Sequence, residues 1–208
     1  FGDAGNDTLF GDAGNDQLSG GAGNDILDGG TGDDVIDGGE GSDTVSYAES
    51  SDRVVVDLNA GTASGQGDDT LTDVENVVGS GSSDIIKGDG GDNIISGGAG
   101  NDYIEGRAGN DTLDGGSGDD IIDAGAGDDT VAGGQGDDLL LGGSGTDTVD
   151  YSGSAAGVSV DLADESATGE GSDTLIGFEN VTGSAFDDTI EGDSGANTLL
   201  GGGGNDTL

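Results

Sequence analysis

Gly20-Gly21-Ala22-Gly23-Asn24-Asp25-Ile26-Leu27-Asp28 is the stretch that decides the fold. Glycine stands first, second and fourth, aspartate sixth, and one aliphatic residue eighth. The nine residues before it, with Asp12 in second place, and the nine after it keep the same order. With U for an aliphatic residue, the unit reads G-G-x-G-x-D-x-U-x. Five units run from Gly2 to Ser46, eight from Gly79 to Asp150, and three from Gly183 to Leu208, the last without its ninth residue. Over these 16 units position 8 is aliphatic every time, from Leu9 to Leu208. Position 6 is Asp in 14 and Asn in two, Asn93 and Asn197. Position 1 departs from Gly at Ala124, and position 4 at Ser82 and Phe186.

This phasing predicts a shape. Residues x-U-x form a short extended segment, one side chain facing in and its neighbours facing out. The glycine-rich remainder is a turn, where the absence of Cβ permits positive φ and close backbone approach. Alternating strands and turns wind into a flattened coil with two nonapeptides per revolution. Parallel strands then stack about 4.8 Å apart, and position 8 becomes an interior ladder of Leu, Ile and Val. Glycine recurs too often for a helical stripe to persist. The expected fold is all-β, a right-handed parallel β-roll.

Two 32-residue inserts, Tyr47–Val78 and Tyr151–Thr182, interrupt the units and divide the chain into 1–46, 47–78, 79–150, 151–182 and 183–208. The inserts match each other at Tyr47/Tyr151, Val56-Asp57-Leu58/Val160-Asp161-Leu162, Asp69-Thr70-Leu71/Asp173-Thr174-Leu175 and Glu75-Asn76-Val77/Glu179-Asn180-Val181. The offset is 104 residues throughout, the length of eight nonapeptides and one insert. Exceptions obey it too: Ser82 pairs with Phe186, and Asn93 with Asn197. The chain therefore reads as two copies of a 104-residue super-repeat. Within the inserts, Ser64–Thr72 and Thr168–Ile176 are degenerate nonapeptides, with Asp69 and Asp173 at position 6. Val54-Val55-Val56 and Val158-Ser159-Val160 read as strands. The inserts are expected to continue the coil with a wider bulge.

Composition limits what such a chain can do. Asp and Glu number 45 against three basic residues, Arg53, Lys87 and Arg107, giving a formal charge of -42. Only 30% of the chain is hydrophobic, and 49 residues are glycine. Low hydrophobicity with high net charge is the composition of a disordered chain, yet disorder gives no reason to keep aliphatics in phase. The chain must fold around cations, and is expected to be a coil without them. Nucleic acid and anionic membranes are repelled by so acidic a surface, and no apolar run is long enough to insert into a bilayer. With no Cys there is no disulfide, and with no His or Cys no zinc or copper set.

Calcium suits the remaining ligands. It takes six to eight oxygens, and the turns offer backbone carbonyls and a carboxylate. Units n and n+2 meet on one edge, one coil apart, in a cleft with about two negative charges. Mg²⁺ fits less well, since it prefers a small octahedron and keeps its waters. Gly20-Gly21-Ala22-Gly23-Asn24-Asp25-Ile26-Leu27-Asp28 resembles the repeat of RTX (repeats-in-toxin) proteins. The inserts resemble the V-x-V-D-L…G-x-G-x-D-T-L…E-N-V segments that interleave RTX arrays. The resemblance implies a β-roll, type I secretion, and folding on meeting extracellular Ca²⁺.

Carried over by position, the side-chain ligands are Asp7, Asp16, Asp25, Asp34 and Asp43 in the first block. In the second they are Asp84, Asn93, Asp102, Asp111, Asp120, Asp129, Asp138 and Asp147. Asp188, Asn197 and Asp206 follow in the third, with Asp69 and Asp173 in the inserts. The two Asn positions keep an oxygen but lose a charge, which predicts weaker sites. Phe186 at a glycine position weakens its turn as well. Pairing n with n+2 inside the blocks gives ten ions, reducing the formal charge from -42 to -22, and more if Asp69 and Asp173 continue the ladder.

Other signals are bland. G-x-G-x-x-G matches follow from the glycine content, with no helix to hold a phosphate. Asn6, Asn110, Asn180 and Asn205 begin glycosylation sequons, three of them products of the repeat. Tyr47 and Tyr151 are expected to anchor the inserts, and position-9 acids such as Asp28 and Asp114 to face solvent. No nucleophile-centred constellation points to an enzyme. Three roles compete: a Ca²⁺-rigidified stalk, adhesin or filament; the secretion and folding tail of a protease, lipase or toxin; and a lattice-matching face of position-7 threonines, which Ile, Val and Leu interrupt. Phe1 and Leu208 both fall inside the register, so the expectation is an array covered at its ends by neighbouring copies, in the same chain or stacked end to end.

Overall fold

Successive nonapeptides deliver their strands to opposite sheets in the computed structural model, which describes residues 1–208. One sheet has ten strands, all parallel. It takes Thr8–Phe10, Ile26–Asp28, Thr44–Ser46 and every second unit after them. The other has thirteen, beginning Gln17–Ala22 and Val35–Glu40. Partners within the blocks lie 18 residues apart: Leu9 beside Leu27, Ile104 beside Ile122, Ile122 beside Leu140. Two nonapeptides therefore complete one coil, as the period requires.

Position 8 builds the core. Leu27, Ile36, Val45, Ile86, Ile104, Ile122, Val131, Leu140 and Val149 are fully buried between the sheets. Their position-7 neighbours face outward: Ile121 is 43% exposed while Ile122 is 0% exposed. One buried aliphatic per nine residues is a thin core against the entropy of ordering nine. The turns must therefore supply stability of their own. Glycine makes their spacing possible. Gly118 has φ +127°, and a Cβ there would run into the carbonyl oxygen of Gly100 one coil below. Gly90, at the variable third position, has open space around it.

The inserts are more than a bulge. After Thr44–Ser46 the chain crosses to the thirteen-stranded sheet as Val55–Asp57, one residue later than the sequence reading placed that strand. It returns as Thr62–Ser64 and runs forward again as Asp68–Thr72. These three strands form an antiparallel meander, Val55 opposite Ser64 and Thr62 opposite Thr70. Both outer strands pair in parallel with the flanking coils: Leu71 lies beside Ile36, and Val56 beside Ile86. Asn76–Val78 then rejoins the ten-stranded sheet beside Thr44–Ser46. Ser159–Asp161, Ser166–Thr168, Ser172–Ile176 and Asn180–Thr182 repeat this path. The roll is thus parallel except within the inserts. Each insert places three strands in one sheet and one in the other, and buries Tyr47, Val54, Val56, Ala63 and Val77, or their counterparts, in the continuous core.

Candidate metal centre

Each position-6 aspartate ties its turn to the one below. The backbone N–H of Asp7 donates to Asp25 Oδ1 at 2.8 Å, and Asp25 N–H to Asp43 Oδ1 at 2.7 Å. In the second block Asp102 N–H donates to Asp120 Oδ1 at 2.7 Å and Asp120 N–H to Asp138 Oδ1 at 2.9 Å. The opposite edge repeats this from Asp111 to Asp129 to Asp147 at 2.8 and 2.9 Å. A second ladder runs beside it at position 5: Asn24 N–H reaches Asn6 Oδ1 at 3.0 Å, and Asp128 N–H reaches Asn110 Oδ1 at 2.8 Å. The repeat formula writes position 5 only as x. Its signal was Asn or Asp in 12 of the 16 units.

The other carboxylate oxygen has nothing to bind. Oδ2 is buried without a hydrogen-bond partner in Asp7, Asp16, Asp25, Asp34, Asp43, Asp102, Asp111, Asp120, Asp129, Asp138 and Asp147. Position-4 carbonyls such as those of Gly23, Gly100 and Gly118 also accept no hydrogen bond. Each of these eleven turns therefore presents a carboxylate oxygen with no donor to meet it. Carboxylates one strand spacing apart, about 5 Å, repel by about 3 kcal/mol per pair at an effective dielectric near 20. Burial, reinforced by neighbouring aspartates, pushes the Asp102, Asp111 and Asp138 carboxyls up to about 6 and Asp120 up to about 7. The chain's own cations give no relief. Lys87 pairs with Glu105 at 3.0 Å, and Arg107 holds Asp57 at 2.9 and 3.0 Å. None of these acids is a position-6 residue.

These oxygens fit Ca²⁺. No three acidic side chains converge anywhere, so carbonyl oxygens must complete the shell, as this hard and flexible cation accepts. Where both members of a pair one coil apart have a free Oδ2, the cleft holds two charges for one ion. Seven clefts qualify: Asp7/Asp25, Asp16/Asp34, Asp25/Asp43, Asp102/Asp120, Asp111/Asp129, Asp120/Asp138 and Asp129/Asp147. A stack of glycine turns with paired, buried carboxylates is a cation-held β-roll. The chain belongs to the RTX calcium-binding nonapeptide repeat family, whose repeat matches residues 1–27, 19–54, 78–113, 114–149 and 168–208. Calcium is the ion of this repeat. Comparison with curated proteins finds no match.

The remaining candidates lie in the same turns, and all but Asp206 have their side-chain oxygens engaged. Asp206 Oδ1 accepts Asp188 N–H at 3.0 Å in the last turn. Asp69, Asp84, Asp173 and Asp188 have both oxygens bonded to protein donors, and the Asn93 and Asn197 amides are fully partnered. Two ladder residues escaped the sequence reading. Glu75 Oε2 accepts Asp43 N–H at 2.8 Å, and Glu179 Oε2 accepts Asp147 N–H at 2.9 Å. Both stand where a position-6 aspartate would. The signal was Glu75-Asn76-Val77, an acid two residues before a buried aliphatic.

Proposed function

We infer that this is a load-bearing segment of a secreted or surface-exposed protein, ordered by extracellular Ca²⁺ into a rigid stalk, adhesin or filament. One observation carries the reading: eleven buried carboxylate oxygens without a partner, repeated on both edges of the roll. A chain charged at -42 cannot close such turns against its own repulsion until cations arrive. Binding free energy then becomes folding free energy. Inside a cell, where free Ca²⁺ is scarce, the chain stays extended enough for export; outside, it sets. The 104-residue super-repeat favours a spacer, because a recurring unit sets length. No catalytic step is assigned to the segment, and its partners are calcium and neighbouring copies of the repeat.

Circular dichroism tests the ordering. Chelated protein should show a coil, with β signal returning cooperatively on Ca²⁺ addition, at midpoints of about 10⁻⁴–10⁻³ M for an extracellular module. A fully folded spectrum in excess chelator would overturn the reading. The full-length gene separates the roles: further 104-residue copies support a stalk, and a catalytic domain beside the repeats supports a secretion tail.

A further inference from the structure

The ladder of free carboxylate oxygens breaks off at each insert, and the break is built the same way twice. Asp69 Oδ2 accepts the hydroxyl of Tyr47 at 3.1 Å, and that tyrosine is only 2% exposed. Asp84 is closed on both sides. Its Oδ2 accepts Ser80 N–H at 2.6 Å, and its Oδ1 accepts the Ser80 hydroxyl and Val54 N–H, both at 2.8 Å. Asn93 donates Nδ2–H to the Glu75 carbonyl at 2.8 Å and to Asp89 Oδ1 at 3.2 Å, while its Oδ1 accepts Asp89 N–H at 2.9 Å.

One super-repeat later the same set recurs. Tyr151 donates to Asp173 at 2.8 Å. The Ser184 N–H and hydroxyl reach Asp188 at 2.6 and 2.7 Å. Asn197 donates to the Glu179 carbonyl at 3.0 Å and to Asp193 at 2.9 Å.

These replacements are specific to the joints. Serine occupies position 2 only at Ser80 and Ser184, and asparagine occupies position 6 only at Asn93 and Asn197. The phenol and the serine supply hydrogen to an Oδ2 that elsewhere in the roll has none, and the carboxamide puts a neutral, fully partnered group where a carboxylate would stand. The carboxamide case is the clearest. An Asn could ligate Ca²⁺ through its oxygen, but here that oxygen is taken by a backbone N–H. The NH₂ group meanwhile donates to the Glu75 carbonyl and to Asp89 Oδ1. An N–H aimed into the turn takes the place a cation would need, and the carboxamide brings no charge to hold one.

Building on the calcium reading above, we propose that Ca²⁺ skips Asp69, Asp84 and Asn93, and likewise Asp173, Asp188 and Asn197. Each insert is a metal-free joint, closed by the protein's own hydrogen bonds, between blocks of roll closed by calcium. Ions occupy the clefts whose aspartates both keep a free Oδ2, seven in this chain. Seven ions at two charges each bring the formal charge from -42 to -28.

Counting bound Ca²⁺ per chain, by equilibrium dialysis against calcium alone and by native mass spectrometry, tests this. Asn93→Asp removes the NH₂ donor and leaves two carboxylates and the Glu75 carbonyl facing one another beside Asp111. It should bind one ion more than the native chain. Where the asparagine variant fails to fold, the native count alone decides the proposal. Ten or more ions in the native chain, the number that position 6 alone would give, overturns the proposal. So does an unchanged count in folded Asn93→Asp. A native chain that binds no calcium defeats the calcium reading instead, and the two failures are told apart by that first measurement.

Discussion

Ile121 and Ile122 are adjacent, chemically identical and on opposite faces of one strand, which makes them a matched pair. Ile122 is fully buried between Ile104 and Leu140 in the ladder, while Ile121 is 43% exposed. Truncating a buried Ile to Ala costs about 2–5 kcal/mol, because the lost contacts leave a cavity that closely packed neighbours cannot fill. Truncating an outward one removes a cross-strand contact of at most about 1 kcal/mol. Folding is linked to calcium, so the loss appears as a shift in the Ca²⁺ midpoint. Each tenfold rise in free Ca²⁺ adds about 1.4 kcal/mol per ion taken up on folding. For the seven two-carboxylate clefts that is about 9.5 kcal/mol per decade. A 3 kcal/mol loss in Ile122→Ala therefore raises the midpoint by about 0.3 decade, or about twofold. Ile121→Ala moves it by about 0.1 decade or less. Circular dichroism during calcium titration, with free Ca²⁺ set by a buffer, measures both. Equal shifts in the two variants would refute the assignment of the faces. A shift of a full decade in Ile122→Ala would mean that about two ions, not seven, are linked to the folding of this block.

Gly118→Ala should weaken folding by about 2 kcal/mol or more, from its left-handed φ together with the collision on the Gly100 carbonyl. Gly90→Ala, in open space, should leave the calcium midpoint unchanged; a matching loss at both positions would show that turn stacking is not the cause. In excess chelator, acid should promote order. The Asp102, Asp111, Asp120 and Asp138 carboxyls lie above the ordinary carboxylate value when buried, so folding takes up protons. Residual β signal in the metal-free chain is therefore greatest below about pH 4 and is lost as pH rises through 6 to 7; a signal that grows with pH contradicts it. Tyr151→Phe leaves a buried Asp173 oxygen without its 2.8 Å donor and should cost the metal-free chain about 1.5–3 kcal/mol, read as β signal lost in excess chelator. An unchanged signal would show that the hydroxyl contributes nothing to the joint.

Most of the roll was legible because its two signals have fixed phase. An aliphatic every nine residues gives the ladder, and an Asp two residues before it gives the turn carboxylate; the 18-residue registers follow. The inserts were legible only at their edges. Leu71 and Val77 keep the acid-x-aliphatic spacing and fall where the ladder needs them. Thr62-Ala63-Ser64 does not: it has one small apolar residue and no phase with the nonapeptide. It becomes a strand because the strands on either side leave it paired on both edges. That is tertiary context, which local propensity does not encode. The closing of Asp84 by Ser80 was invisible for a related reason. A serine among glycines looks like tolerated variation until its hydroxyl is placed 2.8 Å from a buried carboxylate.

The length of the super-repeat also fixes where the inserts fall. Eight nonapeptides are four complete coils, so the chain returns to the same sheet before the second insert begins. Both meanders accordingly enter the thirteen-stranded sheet, and the ten-stranded sheet gains only Asn76–Val78 and Asn180–Thr182. An odd number of nonapeptides would have put the second meander on the opposite face, evening out the two sheets. With an even number, the excess stays on one side: two additional strands at each insert, about 10 Å of extra sheet at the usual strand spacing. The joints that lack free carboxylate oxygens are the same places where the two sheets differ in width. A cation cleft needs two turns at one coil spacing, and the meander interrupts that spacing on one edge. Asp84 then has Val54 rather than a position-6 aspartate donating to it. Hydrogen-bond donors at fixed positions can close such a junction where stacked turns cannot, which is why Tyr47, Ser80 and Asn93 cluster there and recur 104 residues on.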